Sequence, residues 1–442
     1  MRLRKLAFLE GGSNIPNHGF HLRKCIIQTN TMLDQTTRPG EGKKLVLGFS
    51  GGLDTTFCAK YLSEVMGFEV HSILVNTGGF SEEELAAIEA HAYRLGVASH
   101  TTVNAIHSYY DSIIKYLVFG NVLKNNTYPL SVSAERLVQA LHIADHVKQL
   151  GAGYVAHGST GAGNDQVRFD MVFHIQLPGI QIITPIRDLQ LSREDEITFL
   201  KEKGVQMNFE KSAYSINKGL WGTSVGGRET LNSKGWLPEH AWPTQVTKHI
   251  PETVTLGFEK GEFVTLNGES FKHTSEAIQA LHAIAAPFGI GRDIHIGDTI
   301  IGIKGRVGFE AAAPMVIIKA HHALEKHVLG KWQLQWKDTL AQFYGNWLHE
   351  GQILDPVMRD IEQFLVSTQR HVTGTVEVML HPHHFNVIGI ESSYDLMSKQ
   401  FGTYGEMNSG YTGDDVRGFS KIFGNATAIY HKVTAFNSQE NA

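Results

Sequence analysis

The strongest constraint on this chain is an alternation of strand-like and helix-like runs that begins at residue 44. KLVLGFS (44–50) is a short aliphatic run, LDTTFCAKYLSEVMG (53–67) has helical spacing, and FEVHSILVNTG (68–78) is β-branched and aliphatic. SEEELAAIEAHAYRLG (81–96) opens with Ser81 three residues before Glu84, a capping box. VASHTTV (97–103), a helix to about Val118, SAERLVQALHIADHVKQLG (133–151) and GYVAHG (153–158) continue the pattern. Aliphatic strands separated by amphipathic helices predict an α/β domain: a parallel sheet covered on both faces, with ligands outside the carboxyl ends of its strands.

After about residue 208 the texture changes. LGFEKGEFVTLNGESFKH (256–273) has the turns and aromatics of an antiparallel hairpin, followed by a helix near 274–286 and a strand around DTIIGIKGRVGF (298–309). Helices are expected near 332–349 and 355–367, then a second hairpin from VTGTVEVML and FNVIGIES. The last helical stretch, VRGFSKIFGNATAIYHKV (416–433), is far from any core in sequence and reads as packing on a neighbouring subunit. The chain therefore divides into an extension (1–42), a nucleotide-binding domain (43–208), an α+β domain (209–412) and an oligomerisation tail (413–442). The extension mixes Arg2, Arg4, Lys5, Arg23 and Lys24 with Gly, Asn, Thr and Pro and shows no period. It reads first as disordered, second as sequence upstream of a start at Met32, and third as a targeting peptide.

Composition excludes several classes. With 442 residues, 42% hydrophobic and 19% charged, the chain has the balance of a soluble globular protein with room for two domains. No apolar run approaches the roughly 20 residues of a membrane span, so no membrane partner and a cytoplasmic location are expected. A formal charge of −5 offers no electrostatic argument for nucleic acid. Cys25 and Cys58 cannot build a disulfide framework or a zinc ribbon. AHHALEKH (320–327) and HPHHF (381–385) hold close histidines without a Cys or acidic complement, so no metal site of the protein's own is expected. Trp332, Trp336, Phe343 and Trp347 recur at near-helical spacing and read as a core stripe.

GFSGGLDTTFCAKYL (48–62) is a strand end, a glycine turn and a helix start without the lysine of a Walker A loop. Free N–H groups and the positive end of the helix dipole make such a turn an anion site. Ser50 and Thr55 add hydroxyl donors, Gly51 and Gly52 let backbone approach closely, and Asp54 orients the loop or meets a magnesium ion. Without a lysine the loop suits a pyrophosphate about to leave; the competing reading is a plain tight turn.

SGGLDT after an aliphatic strand resembles the PP-motif of the ATP pyrophosphatases, which cleave ATP between the α and β phosphates and adenylate a carbonyl oxygen. The second signature is AHGSTGAGNDQVRFD (156–170), which resembles the HG-x-TG-x-GNDQVRFE run of the argininosuccinate synthase family. YSINKGLWGTS (214–224) is similar to that family's WS-x-DENLW segment and GIKGR (302–306) to its IG-x-KSRG segment, and the likeness covers roughly residues 43–435. The resemblance implies a PP-loop domain, a synthetase and multimerisation domain, and a homotetramer embraced by tail helices. It also implies a ligase that joins citrulline to aspartate through citrullyl-AMP, with ATP and its accompanying Mg2+ as cofactors.

Carried over by position, Ser50, Gly51, Gly52, Leu53, Asp54, Thr55, Thr56, Val75, Gly158 and Thr160 are implied to hold ATP. Thr160, Asn164 and Asp165 match the aspartate site, with Asp165 toward the amine. Tyr128, Ser133, Arg168, Ser215 and Ser224 match the citrulline site, to which Lys218 is added as a new cation. Asp54 and Arg168 are the implied catalytic residues, Arg168 as a cation for a carboxylate or phosphate.

Several positions depart from the family pattern. Gly297 replaces a Glu that contacts citrulline, Phe309 replaces a Tyr, Asn217, Lys218 and Gly219 stand in the DEN segment, Gly226 replaces a further Glu, and Ala162 replaces a Lys. A glycine in place of a carboxylate leaves citrulline's α-ammonium unpartnered, which is costly when buried. One reading is an N-acylated substrate, for example N-succinylcitrulline, with Lys218 or Arg228 meeting the added carboxylate; the other is local realignment, with a different residue pairing the ammonium. Two further classes remain open from the residues: a tRNA-modifying enzyme on the same loop, which would need a basic face, and a nucleotide-binding protein without activity.

Overall fold

The computed structural model describes residues 38–207, 214–406 and 410–440. Of the amino-terminal extension only 38–42 fall within them, as turns, with the Gly40 N–H donating to Met66 O at 2.9 Å. The readings of residues 1–37 lie outside the described residues.

β1 (Lys44–Gly48) leads through the glycine turn into α1 (Leu53–Lys60), whose helical path continues through a wider turn at 61–65 closed by Met66 N to Tyr61 O. β2 (Glu69–Asn76) is buried over seven of its eight residues, as expected of a strand covered on both faces. α2 (Glu82–Arg94) starts at the expected Ser81–Glu84 capping box, and β3 (Ser99–Asn104), α3 (Ser131–Leu150), β4 (Tyr154–Ala156), α4 (Asp165–Gln176), β5 (Gln181–Ile183) and α5 (Arg193–Glu202) complete the unit. The five strands are parallel in the order β3-β2-β1-β4-β5. Strand order reverses between β1 and β4, so the chain leaves these neighbours in opposite directions and opens a crevice at their carboxyl ends.

Two antiparallel sheets follow. β6 (Ser215–Gly219) and β7 (Gly222–Gly226) join β11 (Arg292–Asp298) and β12 (Lys304–Glu310) in the order β11-β12-β7-β6. β8 (Glu252–Glu259), β9 (Glu262–Leu266), β10 (Glu269–Ser270), β13 (Gly374–His381) and β14 (His384–Glu391) form the other, ordered β10-β9-β8-β13-β14. Helices α6 (Thr274–Ala285), α7 (Ala312–Val328), α8 (Lys331–His349) and α9 (Pro356–Thr368) accompany them. The strand expected over 298–309 is thus two strand ends with a turn between them, where Gly302 takes φ +86. The tail is two helices, α10 (Gly413–Phe423) and α11 (Asn425–Glu440), separated at Gly424.

Of the aromatic stripe on α8 only Trp347 packs against the core, half-buried and bonded to Asp355 Oδ2 at 3.0 Å. Trp332 and Trp336 are 69% and 61% exposed and Phe343 39%, because the helix buries its opposite face through Lys337, Ala341, Tyr344 and Leu348. These inward residues recur at the helical period as regularly as the aromatics do, and packing against α9 selects them.

His321, one of the paired histidines on α7, is fully buried in a polar network. Its ring nitrogens face Asn121 Oδ1 at 2.7 Å and Gln369 Oε1 at 2.9 Å, while Asn121 and Gln369 each donate to Glu325. Glu325 and Lys337, both fully buried, pair at 2.9 Å. A buried pair of this kind punishes loss of one partner more than it rewards its presence. Lys337→Met should therefore destabilise the fold by about 3–5 kcal/mol, read as a lower midpoint in denaturant unfolding; an unchanged midpoint would show that Glu325 has no need of the cation.

Candidate active site

The crevice at the carboxyl ends of β1 and β4 is a cleft of about 1040 Å³, and residues of β6, β11 and β12 wall its far side. On the near side, α1 begins at Gly52 with no side chain capping its first turn, and the first helical bond runs from Thr56 N to Gly52 O. The N–H groups of Leu53, Asp54 and Thr55 therefore have no helical acceptor. Gly51 holds φ +74, a conformation suited to glycine, and turns the chain so that these groups face the cleft. Thr55 Oγ1 lies 3.3 Å from both Ser50 N and Ser50 Oγ and bonds Gly52 O, bracing the loop. Ser50, Gly52, Leu53, Asp54, Thr55 and Val75 line the cleft. Thr56 does not: it is fully buried behind the loop, 3.1 Å from His91 Nε2. Gly51 is likewise a shaping residue and not part of the wall.

The loop after β4 meets this one. A Cβ on Gly158 would stand 3.2 Å from Thr55 Cγ2 and 3.3 Å from the Asp54 carbonyl carbon, so glycine there lets the two loops touch. His157 Nδ1 accepts from Ser159 N at 3.2 Å, which leaves Nε2 to donate to Asp170 Oδ1 at 3.0 Å, and Arg187 holds the other Asp170 oxygen at 2.7 Å. The loop is thereby tied to α4. Gly158, Thr160, Asn164 and Asp165 all line the cleft.

At its centre is a cluster the sequence reading located only in part. Asp165 Oδ1 receives Arg168 Nη1 at 2.9 Å and Oδ2 receives Arg136 Nε at 3.0 Å. Burial pushes the Asp165 carboxyl up, but the two guanidiniums outweigh it and hold it below the usual carboxylate range. Asp165 was expected to face an amine; the structure gives both its oxygens to arginines. Arg168 also donates from Nε and Nη2 to His349 O at 3.1 and 2.8 Å, and from Nη2 to Ser133 Oγ at 3.2 Å. Four of its five N–H groups are so engaged, leaving one on Nη1 for a ligand. Arg136, which the sequence reading missed, donates from Nη2 to Asn217 Oδ1 at 2.7 Å, and Asn217 Nδ2 reaches Ser224 Oγ at 3.4 Å.

Tyr128, Ser133, Ser215, Ser224 and Lys218 line the same cleft; Arg228, exposed beyond β7, is not part of its wall. Gly297 lines it, whereas Phe309 is buried behind Tyr128 with ring centroids 5.3 Å apart. Two histidines that the sequence reading did not single out complete this end. His349 Nδ1 is 3.0 Å from Ser133 Oγ, and His295 stacks on Tyr128 at 5.0 Å. Burial, with Arg168 and Lys124 nearby, lowers His349 to about 3; burial and Lys124 lower His295 to about 4. Both rings are neutral at physiological pH. They come to the site from the end of α8 and the middle of β11, far apart in sequence, so no local motif announces them.

Behind the phosphate loop, the carboxyls of Asp54 and Glu196 of α5 stand close enough to be joined by a shared proton. Burial, then the charge of Asp54, raises Glu196 to about 8, and burial raises Asp54 as well. Among the described residues no group of three or more His, Cys, Asp or Glu stands close enough to bind a metal unaided. Because the folded chain holds a proton on Glu196 that the unfolded chain releases above its ordinary value near 4.5, unfolding releases protons between about pH 4.5 and 8. This contribution to stability is full below that window and is lost as pH rises through it. Glu196→Gln should flatten the decline in thermal midpoint from pH 5 to 8, and a parallel decline in wild type and variant would exclude the shared proton.

Comparison with known proteins agrees with these features. Residues 44–206 match the family model described as arginosuccinate synthase N-terminal HUP domain, and residues 214–430 match the arginosuccinate synthase C-terminal domain. An argininosuccinate synthase of Methanocaldococcus jannaschii is 38% identical over 364 residues, covering 82% of this chain and 91% of the relative. That of Xanthomonas campestris pv. campestris is 36% identical over 403 residues (88% and 99%), and that of Pyrococcus furiosus 33% over 403 residues (90% and 97%). The comparisons support none of the alternatives read from the sequence, neither an N-acylated substrate nor a tRNA-modifying enzyme nor a nucleotide-binding protein without activity. The chain belongs to the argininosuccinate synthase family and is an ATP-dependent ligase of arginine biosynthesis that forms a carbon–nitrogen bond.

Proposed function

We propose that this chain joins a ureido amino acid of the citrulline type to aspartate, giving AMP and pyrophosphate. The observation that carries this reading is the meeting of two loops at the β1/β4 switch point, an uncapped helix start opposite the Arg136–Asp165–Arg168 cluster. The β and γ phosphates lie against the N–H groups of Leu53, Asp54 and Thr55 and the hydroxyl of Ser50, with Val75, Gly158 and Thr160 along the nucleotide. The ureido oxygen attacks the α phosphorus; an O–P bond forms and the bond to pyrophosphate breaks. The aspartate amine, shedding a proton, then attacks the ureido carbon, and the C–O bond to AMP breaks as the C–N bond forms. No protein nucleophile is required, so rate comes from alignment and from donors aimed at phosphate charge.

In this scheme Arg168 is chiefly a positioning residue, with its single spare N–H offered to substrate. Thr160 and the Asn164 side-chain amide bind an aspartate carboxylate; Asn164 Oδ1 is already committed to Ile300 N at 2.9 Å. Tyr128, Ser133, Ser215 and Ser224 hold the ureido substrate. A magnesium ion arriving with ATP fits the Asp54 carboxyl, which lines the cleft with Glu196 behind it, since Mg2+ is ordinarily held by one or two carboxylates plus phosphate oxygens. Bound there, it would neutralise the leaving phosphates.

The domain division at about residues 208 and 412 and a homotetrameric assembly in the cytoplasm belong to the same reading. No helix among the described residues is long and apolar enough to cross a membrane. In favour of assembly, α10 and α11 expose Val416, Phe419, Ile422, Phe423 and Phe436, an apolar surface that needs a cover.

Two measurements check the proposal. The purified protein, given MgATP, aspartate and the ureido substrate, should release AMP and pyrophosphate in equal amounts; ADP and phosphate would refute it. Gly158→Val, which forces the two loops apart, should raise the KM for ATP about tenfold or more with the fold intact, and an unchanged KM would place the triphosphate elsewhere. For assembly, deleting residues from 413 onward should convert a species of four chain masses in analytical ultracentrifugation into smaller ones; an intact tetramer would remove the tail from the interface.

A further inference from the structure

Citrulline carries a free α-ammonium, and among the described residues the atoms nearest to where a side chain at 297 would begin belong to His295 and Asn125, not to a carboxylate. Among the described residues five carboxylates line the cleft: Asp54, Glu84, Glu135, Asp165 and Asp298. Asp54 and Glu84 belong to the phosphate-loop side, on α1 and α2, and Asp165 is held by Arg136 and Arg168. Glu135 accepts Thr77 Oγ1 at 2.8 Å and Gln139 Nε2 at 2.9 Å. Both bonds fall on Oε1; among the described residues Oε2 has no hydrogen-bond partner and points toward β6, 2.7 Å from where a Cβ on Gly219 would stand, about 200° around α3 from Ser133. Asp298 sits on the open rim, 71% exposed and paired with Lys304 at 2.6 Å.

The place where a side chain from position 297 would stand is already taken. Gly297 and His295 lie on one face of β11, and a Cβ on Gly297 would fall 2.6 Å from His295 Nε2 and 3.4 Å from Asn125 Nδ2. His295 is held there by its stack on Tyr128. The cleft thus presents neutral imidazoles at 295 and 349 and the cation Arg168, while Asn125 and Lys124 line the neighbouring cavity. Among the described residues, an ammonium desolvated beside position 297 meets imidazoles before it meets a carboxylate. An amide nitrogen has no charge to compensate, and its single N–H can be accepted by an imidazole nitrogen; among the described residues His295 Nδ1 and His349 Nε2 have no hydrogen-bond partner.

Resting on the ligase reading above, we propose that the ureido substrate of this chain carries its α-nitrogen as an amide, so that the enzyme acts on Nα-acylated citrulline, with His295 as a specificity-determining residue. The adenylation and ligation steps are unchanged, because the acyl group is remote from the ureido carbon.

The test is pyrophosphate release by the full chain with MgATP and aspartate, comparing citrulline, N-acetylcitrulline and N-succinylcitrulline. At least one acylated form should exceed citrulline in kcat/KM by tenfold or more. Equal or better use of citrulline overturns the proposal while leaving the ligase reading intact, and Asp298→Asn would then reveal by a raised citrulline KM whether the rim carboxylate pairs the ammonium. Release with none of the three overturns both. The double variant H295A/G297E, which vacates the ring and supplies a carboxylate, should move the preference toward citrulline by tenfold or more; an unchanged preference would also overturn the role of His295.

Discussion

Everything at the active site depends on one topological constraint, the reversal of strand order between β1 and β4. A parallel strand cannot cover the crevice left where its two outgoing loops diverge, so that crevice is open to ligand in any sheet of this kind. This chain brings to it a helix start without a side-chain cap and a loop narrow enough, through Gly158, to touch the first. In the proposed reading the anion site is made of backbone, so a phosphate loop here needs no lysine.

Electrostatics then joins the second half of the molecule to that crevice. Arg136 on α3 connects Asp165 to Asn217 on β6, Arg168 on α4 connects it to the last turn of α8, and Asn164 accepts from Ile300 in the turn between β11 and β12. These contacts put one buried charge cluster at the junction of the parallel sheet and the antiparallel sheet of β6, β7, β11 and β12. A carboxylate shared by two guanidiniums is strongly held in place, since removing either cation leaves a poorly solvated charge. The cluster is suited to fixing the relative placement of the nucleotide loops and the ureido pocket, which a reaction governed by alignment requires.

Legibility in the sequence followed how local the determining interactions are. The parallel sheet, the Ser81–Glu84 cap and the glycine turn after β1 are set by residues within a few positions of one another, and they were readable. Asn164, Asp165 and Arg168 were named through a resemblance to one motif; they share a single helix start and line the cleft. Arg136, Glu135, His295 and His349 were not readable, because each gains its role from a partner on a distant element. The α8 aromatics misled for a related reason: Trp332 and Trp336 have the period of a buried face, but Lys337, Ala341, Tyr344 and Leu348 share that period and are the ones packed inward. Glycine at 297 is intelligible only when His295 is seen filling the space beside it.

The central claim is that the triphosphate is held by the helix start after β1 and faces the Asp165 cluster across the crevice. A crystal structure of the chain with a non-hydrolysable ATP analogue and aspartate tests it most directly. The account predicts the β and γ phosphates within hydrogen-bond distance of the Leu53, Asp54 and Thr55 amides, and the aspartate at Thr160 and Asn164. A triphosphate bound away from residues 50–55 would contradict it.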